Sequence, residues 1–215
     1  MIGLRTGRLR RIAALAAHCD DIAIGAGGTL LTLCAAHPGV RVDALVLSGG
    51  GTEREDEERA ALAAFCPGAD LRLTVLKLPD GRLPAHWDEA KNAVEELRAA
   101  GDPDLVVAPH RGDLHQDHRG LAELVPTAFR DHLVLGYEIV KWDGDLGRPS
   151  VYQPLTPAVA REKAALLQSH YPSQRHRPWY DPEAFLGLAR IRGIECHARY
   201  AEAFHVDKLT LDLEN

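Results

Sequence analysis

The chain of 215 residues lacks what several protein classes require. No apolar run approaches the ~18 residues that cross a bilayer, so no membrane partner is expected. Basic blocks are missing too: 25 Lys and Arg stand against 31 Asp and Glu, a formal net charge of −6. That balance gives no electrostatic footprint for nucleic acid. Cys19, Cys34, Cys66 and Cys196 form no CxxC pair and no framework spacing, which excludes a disulfide scaffold and fits reduced thiols in a cytoplasm. Cys34 and Cys66 lie in Ala/Leu-rich stretches and read as small core residues. Arg10-Arg11 precedes an apolar stretch, as in twin-arginine export signals. That stretch, 12–17, is too short for a signal core, so a cytoplasmic location is expected. Repeats and low-complexity segments are absent, and collagen-like or disordered classes are excluded by composition.

What remains is an ordinary globular composition, 46% hydrophobic and 26% charged, long enough for one domain with a sizeable core. Against a single Met stand eleven His. Imidazole is the commonest metal ligand and a frequent acid–base group, so the position of each His matters.

Apolar runs at 11–17, 40–47, 71–78, 105–108 and 132–140 read as strands, and 105–108 (LVVA), apolar throughout, reads as central. Helix-forming stretches fall at 29–37, after glycine punctuation at 25–28, then at 53–65, 87–100 and 120–130, the last interrupted near Pro126. Strands alternating with helices imply parallel pairing through right-handed crossovers. Beyond Lys141 prolines break the rhythm and leave helices near 158–169 and 182–191. The expected fold is α/β: a Rossmann-like, mostly parallel sheet flanked by helices. Residues 1–140 form its core, and 141–215 form an irregular C-terminal third that shapes a cleft within the same single domain.

Two polar clusters each follow a strand. His18-Cys19-Asp20-Asp21 follows the first, and His115-Gln116-Asp117-His118 follows the fourth after a loop opened by His110. In the common doubly wound order these strands are neighbours at the switch point, where ligands bind beyond the strand ends. Two imidazoles and a carboxylate make a three-ligand site with positions left open, as in catalytic zinc centres. His18 and Asp21 are spaced to converge on one ion, while Asp20 points elsewhere and suits a general base. Of His115 and His118, one can ligate while the other donates to a developing oxyanion, with Asp117 fixing the tautomer of His115. Each cluster alone has a plainer explanation: Asp-Asp after a strand is often a helix cap, and HxxH arises by chance. Their joint placement at one sheet edge favours a metal site. Cys19, flanked by His18 and Asp20, reads as a packing residue.

These residues, with Gly25-Ala26-Gly27-Gly28-Thr29-Leu30 and Asp113-Leu114-His115-Gln116-Asp117-His118, resemble the motifs of the LmbE-like (PIG-L) de-N-acetylases. These are metal-dependent hydrolases acting on N-acetylglucosaminyl compounds. The likeness extends through Arg54-xx-Glu57, Asp80-Gly81, Pro103-Asp104 and Tyr200-Ala201-Glu202-Ala203-Phe204. The family's HPDD-Glu opening is altered here: Cys19 stands for Pro and Ile22 for Glu. The resemblance implies that His18, Asp21 and His118 bind Zn2+, with Fe2+ as the alternative occupant. It further implies that Asp20 is the base, that His115 polarises the oxyanion with support from Asp117, and that Arg54 and Asp80 touch the sugar. The expected activity is removal of the N-acetyl group from an N-acetylglucosamine-containing small molecule, giving acetate and a free amine. A homo-oligomer is compatible with it. Roles for His170, Glu138, Trp142 and Asp143 stay open. Two other readings compete: a Rossmann-type nucleotide or S-adenosylmethionine binder, for which the glycines fit GxGxxG poorly, and a non-haem Fe(II) enzyme using the same ligand set.

Overall fold

A computed structural model describes residues 3–210. The elements are β1 (Arg11–Ala16), α1 (Asp21–Ala36), β2 (Arg41–Ser48), α2 (Glu53–Phe65), β3 (Asp70–Leu78), α3 (Trp87–Ala99), β4 (Leu105–Pro109), α4 (Gln116–Ala128) and β5 (Val134–Tyr137). They are followed by β6 (Val151–Leu155), α5 (Pro157–His170), α6 (Pro182–Glu195) and β7 (Tyr200–His205). The strands form one seven-stranded sheet in the order β3-β2-β1-β4-β5-β7-β6. The first five pair in parallel; β7 runs antiparallel to both β5 and β6. The expected α/β class is the observed one, with β1 and β4 side by side at the switch point.

Side chains of β1 alternate across the sheet. Ile12, Ala14 and Ala16 join the core with α1, α2 and the C-terminal helices, while Ala13 and Leu15 join the core beneath α3 and α4. Both faces are covered, which is why the run reads as continuously apolar.

Two expectations are corrected. The glycines at 25–28 do not punctuate the chain; α1 begins at Asp21 and runs through them. A Cβ at Gly25 would lie 2.3 Å from the Tyr137 ring, one at Gly27 2.7 Å from Phe65, and one at Gly28 2.6 Å from Leu155. The glycines let the helix lie close to its neighbours and form no phosphate-binding turn. Secondly, the C-terminal third is less irregular than expected: besides the two helices anticipated near 158–169 and 182–191 it supplies two strands. Strand β6 contains Pro154, which removes a donor and argues against a central strand; β6 lies at the sheet edge, where proline is tolerated. In β7 the Ala/Glu-rich YAEAFH has weak strand propensity, and pairing between β5 and β6 overrides it.

This C-terminal part also enters α1. The N–H of Gly28, whose helical partner would be the Ile24 carbonyl, donates to Glu202 Oε1 at 2.8 Å, and Thr29 N donates to Glu202 Oε2 at 2.6 Å. Lys163 Nζ donates to the Ile24 carbonyl and to Glu202, both at 2.6 Å. A buried ion pair from α5 and β7 is thus threaded into the helix that carries Asp21.

Candidate active site

The chain leaves β1 at Ala16 and reverses over the four residues 17–20 before α1 starts at Asp21. Asp20 makes this possible by adopting φ 102°, ψ −22°, a left-handed conformation that costs an L-residue about 1–2 kcal/mol. Its N–H donates to Glu58 Oε2 at 2.8 Å and its carbonyl accepts from Ile24 at 2.8 Å. The step separates two adjacent carboxylates. Asp21 turns back onto its own loop, where Oδ2 accepts from the N–H groups of Ala17 (3.1 Å) and His18 (2.9 Å). Asp20 turns to Arg54, with Nη2 2.9 Å from its Oδ2.

At the end of β4 the chain runs through His110 and the buried Asp113 into α4. His115 caps that helix, its Nδ1 accepting the Asp117 N–H at 3.2 Å. The lone pair is therefore at Nδ1, and the neutral ring carries its proton on Nε2. One helical turn further, His118 comes level with the first loop.

The loops meet at three atoms. His18 Nδ1 lies 3.1 Å from His118 Nε2, His118 Nε2 lies 3.3 Å from Asp21 Oδ2, and Asp21 Oδ2 lies 3.6 Å from His18 Nδ1. Donors around a tetrahedral ion with bonds of about 2.0–2.1 Å sit about 3.4 Å apart, so this triangle suits such a cation. The far nitrogen of each imidazole also faces a carboxylate, as in metal-ligating histidines. His118 Nδ1 is 2.9 Å from Asp113 Oδ2, and His18 Nε2 is 3.1 Å from Asp117 Oδ2 and 3.0 Å from Asp80 Oδ1. Two other groupings with metal-binding spacing share His18 with the triangle: His18 with His115 and His118, and His18 with Asp80 and Asp117. The set containing Asp21 is favoured because that carboxylate is buried and oriented by two backbone donors, whereas the Asp80 side chain is 77% exposed.

The electrostatics call for positive charge here. Burial alone would lower the His118 pKa, but Asp21 and Asp113 outweigh it and raise it to about 9. His18 is likewise held well above the imidazole range, with Asp117 and Asp21 overcoming burial. Asp21 sits well below the carboxylate range because His118 and His18 outweigh its burial. Asp113 falls to about 2 as His118 and Lys141 overcome burial. Asp20 moves the other way: burial raises it to about 6, moderated by Arg54. His115 is lowered, first by burial and then by the positive charge of its imidazole neighbours, and so stays neutral.

Other anticipated residues take different places. The Asp117 carboxylate does not reach His115. It accepts from Gly81 N (2.7 Å) and Leu83 N (3.0 Å) and faces His18, because as the second residue of α4 its side chain points across the helix start. Its link to His115 is through its backbone. Arg54 lines the cleft beside Asp20, and its terminal nitrogens are also engaged within the protein. Nη1 donates to Glu57 (2.8 Å) and Ser173 (2.9 Å), and Nη2 to the Cys19 carbonyl and to Asp20. The Cys19 thiol is buried against the Ser48 carbonyl and pushed up by burial, as a packing residue should be. Glu138 is held by Arg192 at 2.5 and 2.9 Å. His170 ends α5, while Trp142 and Asp143 line the cleft of about 530 Å3 that opens over His18, His115 and His118.

Sequence reasoning missed Asp113 as the partner of His118 and Glu58 as the partner of Asp20. The first was legible as an acid two residues before a histidine that caps a helix. The second had no sequence signal, since α2 is rich in acids.

A model of the PIG-L family, described as GlcNAc-PI de-N-acetylase, matches residues 13–129. An Escherichia coli protein described as "Uncharacterized deacetylase YaiS" is 27% identical over 172 residues, 74% of this chain and 89% of that one. The conserved protein TT1542 from Thermus thermophilus superposes with a TM-score of 0.74 at 26% identity, covering 95% of this chain and 97% of the other. N,N'-diacetylchitobiose deacetylase from Pyrococcus horikoshii gives 0.69 at 19% identity, covering 92% and 84%. The 4-carboxy-2-hydroxymuconate hydratase GalB from Pseudomonas putida gives 0.72 at 16%, covering 96% and 99%. These last two show a shared fold, which hosts more than one chemistry.

Proposed function

Since this chain belongs to the PIG-L (GlcNAc-PI de-N-acetylase) family, we propose that it is a metal-dependent hydrolase that removes the N-acetyl group from an N-acetylglucosamine-containing small molecule. The observation that carries the reading is the triangle of His18 Nδ1, His118 Nε2 and Asp21 Oδ2, with edges of 3.1, 3.3 and 3.6 Å, beside Asp20, which lines the same cleft. His18, Asp21 and His118 would hold the ion, zinc in the first instance. A bound divalent cation would supply Lewis acidity, lowering the pKa of water and polarising the acetamide carbonyl.

The remaining chemistry belongs to side chains. Asp20, poised at about 6, takes a proton from the attacking water as its oxygen bonds to the acetamide carbon. His115 donates from Nε2 to the oxyanion that develops on the carbonyl oxygen. Asp20 then returns the proton to the nitrogen, the C–N bond breaks, and acetate and a free amine leave. Asp80, near His18 and largely exposed, would meet the sugar.

The nucleotide-binding alternative loses its support, because the glycines that suggested it are packed against Tyr137, Phe65 and Leu155. The test is a panel of N-acetylglucosaminyl compounds assayed for free amine with and without a chelator, after loading with zinc, iron(II) or cobalt. Chelator-sensitive release of amine and acetate from at least one compound is expected. Release from none by any metal-loaded form would overturn the reading.

A further inference from the structure

Asp20 and Asp21 are adjacent yet must face different ways, and the left-handed step at residue 20 is what separates them. An amide turned out of the helical direction and buried needs an acceptor. Among the described residues that acceptor is Glu58, whose side chain comes from α2 and is fully buried, 0% exposed. Its Oε2 accepts the Asp20 N–H at 2.8 Å and the Tyr171 hydroxyl at 2.7 Å, while Oε1 has no partner among the described residues. Glu58 does not line the cleft, so substrate contact does not explain it. The acid expected one residue after the Asp pair is absent; Ile22 takes that position and is buried in the core. The carboxyl group behind the turn comes from α2.

We propose that Glu58 is a positioning residue for Asp20: by accepting the Asp20 N–H it holds residue 20 left-handed and aims its carboxylate into the cleft, while Tyr171 fixes the orientation of Glu58. The inference rests on Asp20 being the base, as read above. It also gives the C-terminal part of the chain a share in the chemistry, because Tyr171 follows α5 directly. Ser173, next along, extends the same brace: its N–H donates to Glu57 at 2.8 Å, and its hydroxyl lies 2.9 Å from Arg54 Nη1. The base is held on one side by Arg54 at its carboxylate and on the other by Glu58 at its backbone.

The test compares Glu58→Ala, Glu58→Gln and Tyr171→Phe with the wild type in the full zinc-loaded chain. It reads metal per chain, kcat, KM and thermal midpoint on a compound the wild type hydrolyses. Glu58→Ala is expected to keep its metal and its KM but to lose kcat by about 10- to 100-fold, the scale of a misplaced catalytic group. Glu58→Gln keeps an acceptor oxygen and is expected to stay within about threefold of the wild type, with Tyr171→Phe falling between the two. Unchanged kcat in Glu58→Ala overturns the proposal, as does a Gln variant as impaired as the Ala variant, or parallel loss of metal and kcat. Should Glu58→Ala fail to fold, Tyr171→Phe carries the test, and full kcat in it overturns the proposal. A wild type inactive on every compound would instead overturn the reading of Asp20 as base in a deacetylase.

Discussion

At the end of β1 the chain steps through a left-handed Asp20 before α1 begins, whereas at the end of β4 it enters α4 with His115 at an ordinary φ of −73°. Both turns deliver a histidine and an acid to the same point. The second does so with local means: His115 caps the helix, and His118 follows one turn later on the same face. The first must send two neighbouring carboxylates in different directions. It needs a conformation that L-residues avoid, and support from α2 and from the segment after α5. The lesson is that residues three apart converge by helical geometry alone, whereas neighbours diverge only where the surrounding structure enforces it.

The largest expected effect falls on what the two turns share. Asp21→Ala and His118→Ala are each expected to lose the bound metal and, with it, activity down to the level of chelator-treated wild type. Metal analysis of the purified variants checks this, and full occupancy in either one would separate the turns. Next comes Asp20→Asn, expected to retain metal and lose about 10²–10⁴ in kcat as a missing general base. His115→Ala tests the second turn in the same way. It should keep its metal and lose about 10²–10³ in kcat, the range for a removed oxyanion donor; loss of metal would put His115 in the ligand set.

The smallest effect concerns the brace. Burial, with Asp20 and Asp21 nearby, raises the Glu58 pKa to about 8 against an ordinary 4.5, despite hydrogen bonds from Tyr171 and Asp20. A raised carboxyl favours the folded protein while protonated. Its contribution is present below 4.5 and is lost as pH rises towards 8. Glu58→Gln removes that titration, so its stability should fall less between pH 5 and 8 than that of the wild type, as denaturant melts at several pH values would register.

Much of this was legible beforehand. The apolar runs at 11–17 and 105–108 place β1 and β4, and the polar tetrads that follow them, the second after a short loop, point to the site, because a doubly wound sheet brings those strand ends together. Other features depend on partners remote in sequence. That Arg54 meets Ser173, 119 residues later, at the edge of the cleft has no signal in the sequence. The Asp117 carboxylate reads as a partner of His115, two residues away, until the start of α4 turns it to His18 and to the amides of Gly81 and Leu83. β6 and β7 were hidden because Pro154 and an Ala/Glu-rich segment make poor strands in isolation.

By itself the sequence determined the α/β rhythm, the family and the identity of the residues gathered at the switch point. Each of these follows from local periodicity or from a motif within a few residues. Tertiary structure alone decided which atoms of those residues face one another, that Arg54 pairs with Asp20, and that a buried glutamate from α2 holds the turn at Asp20. Such choices depend on desolvation and on hydrogen bonds between segments brought together by folding, and no local pattern encodes them.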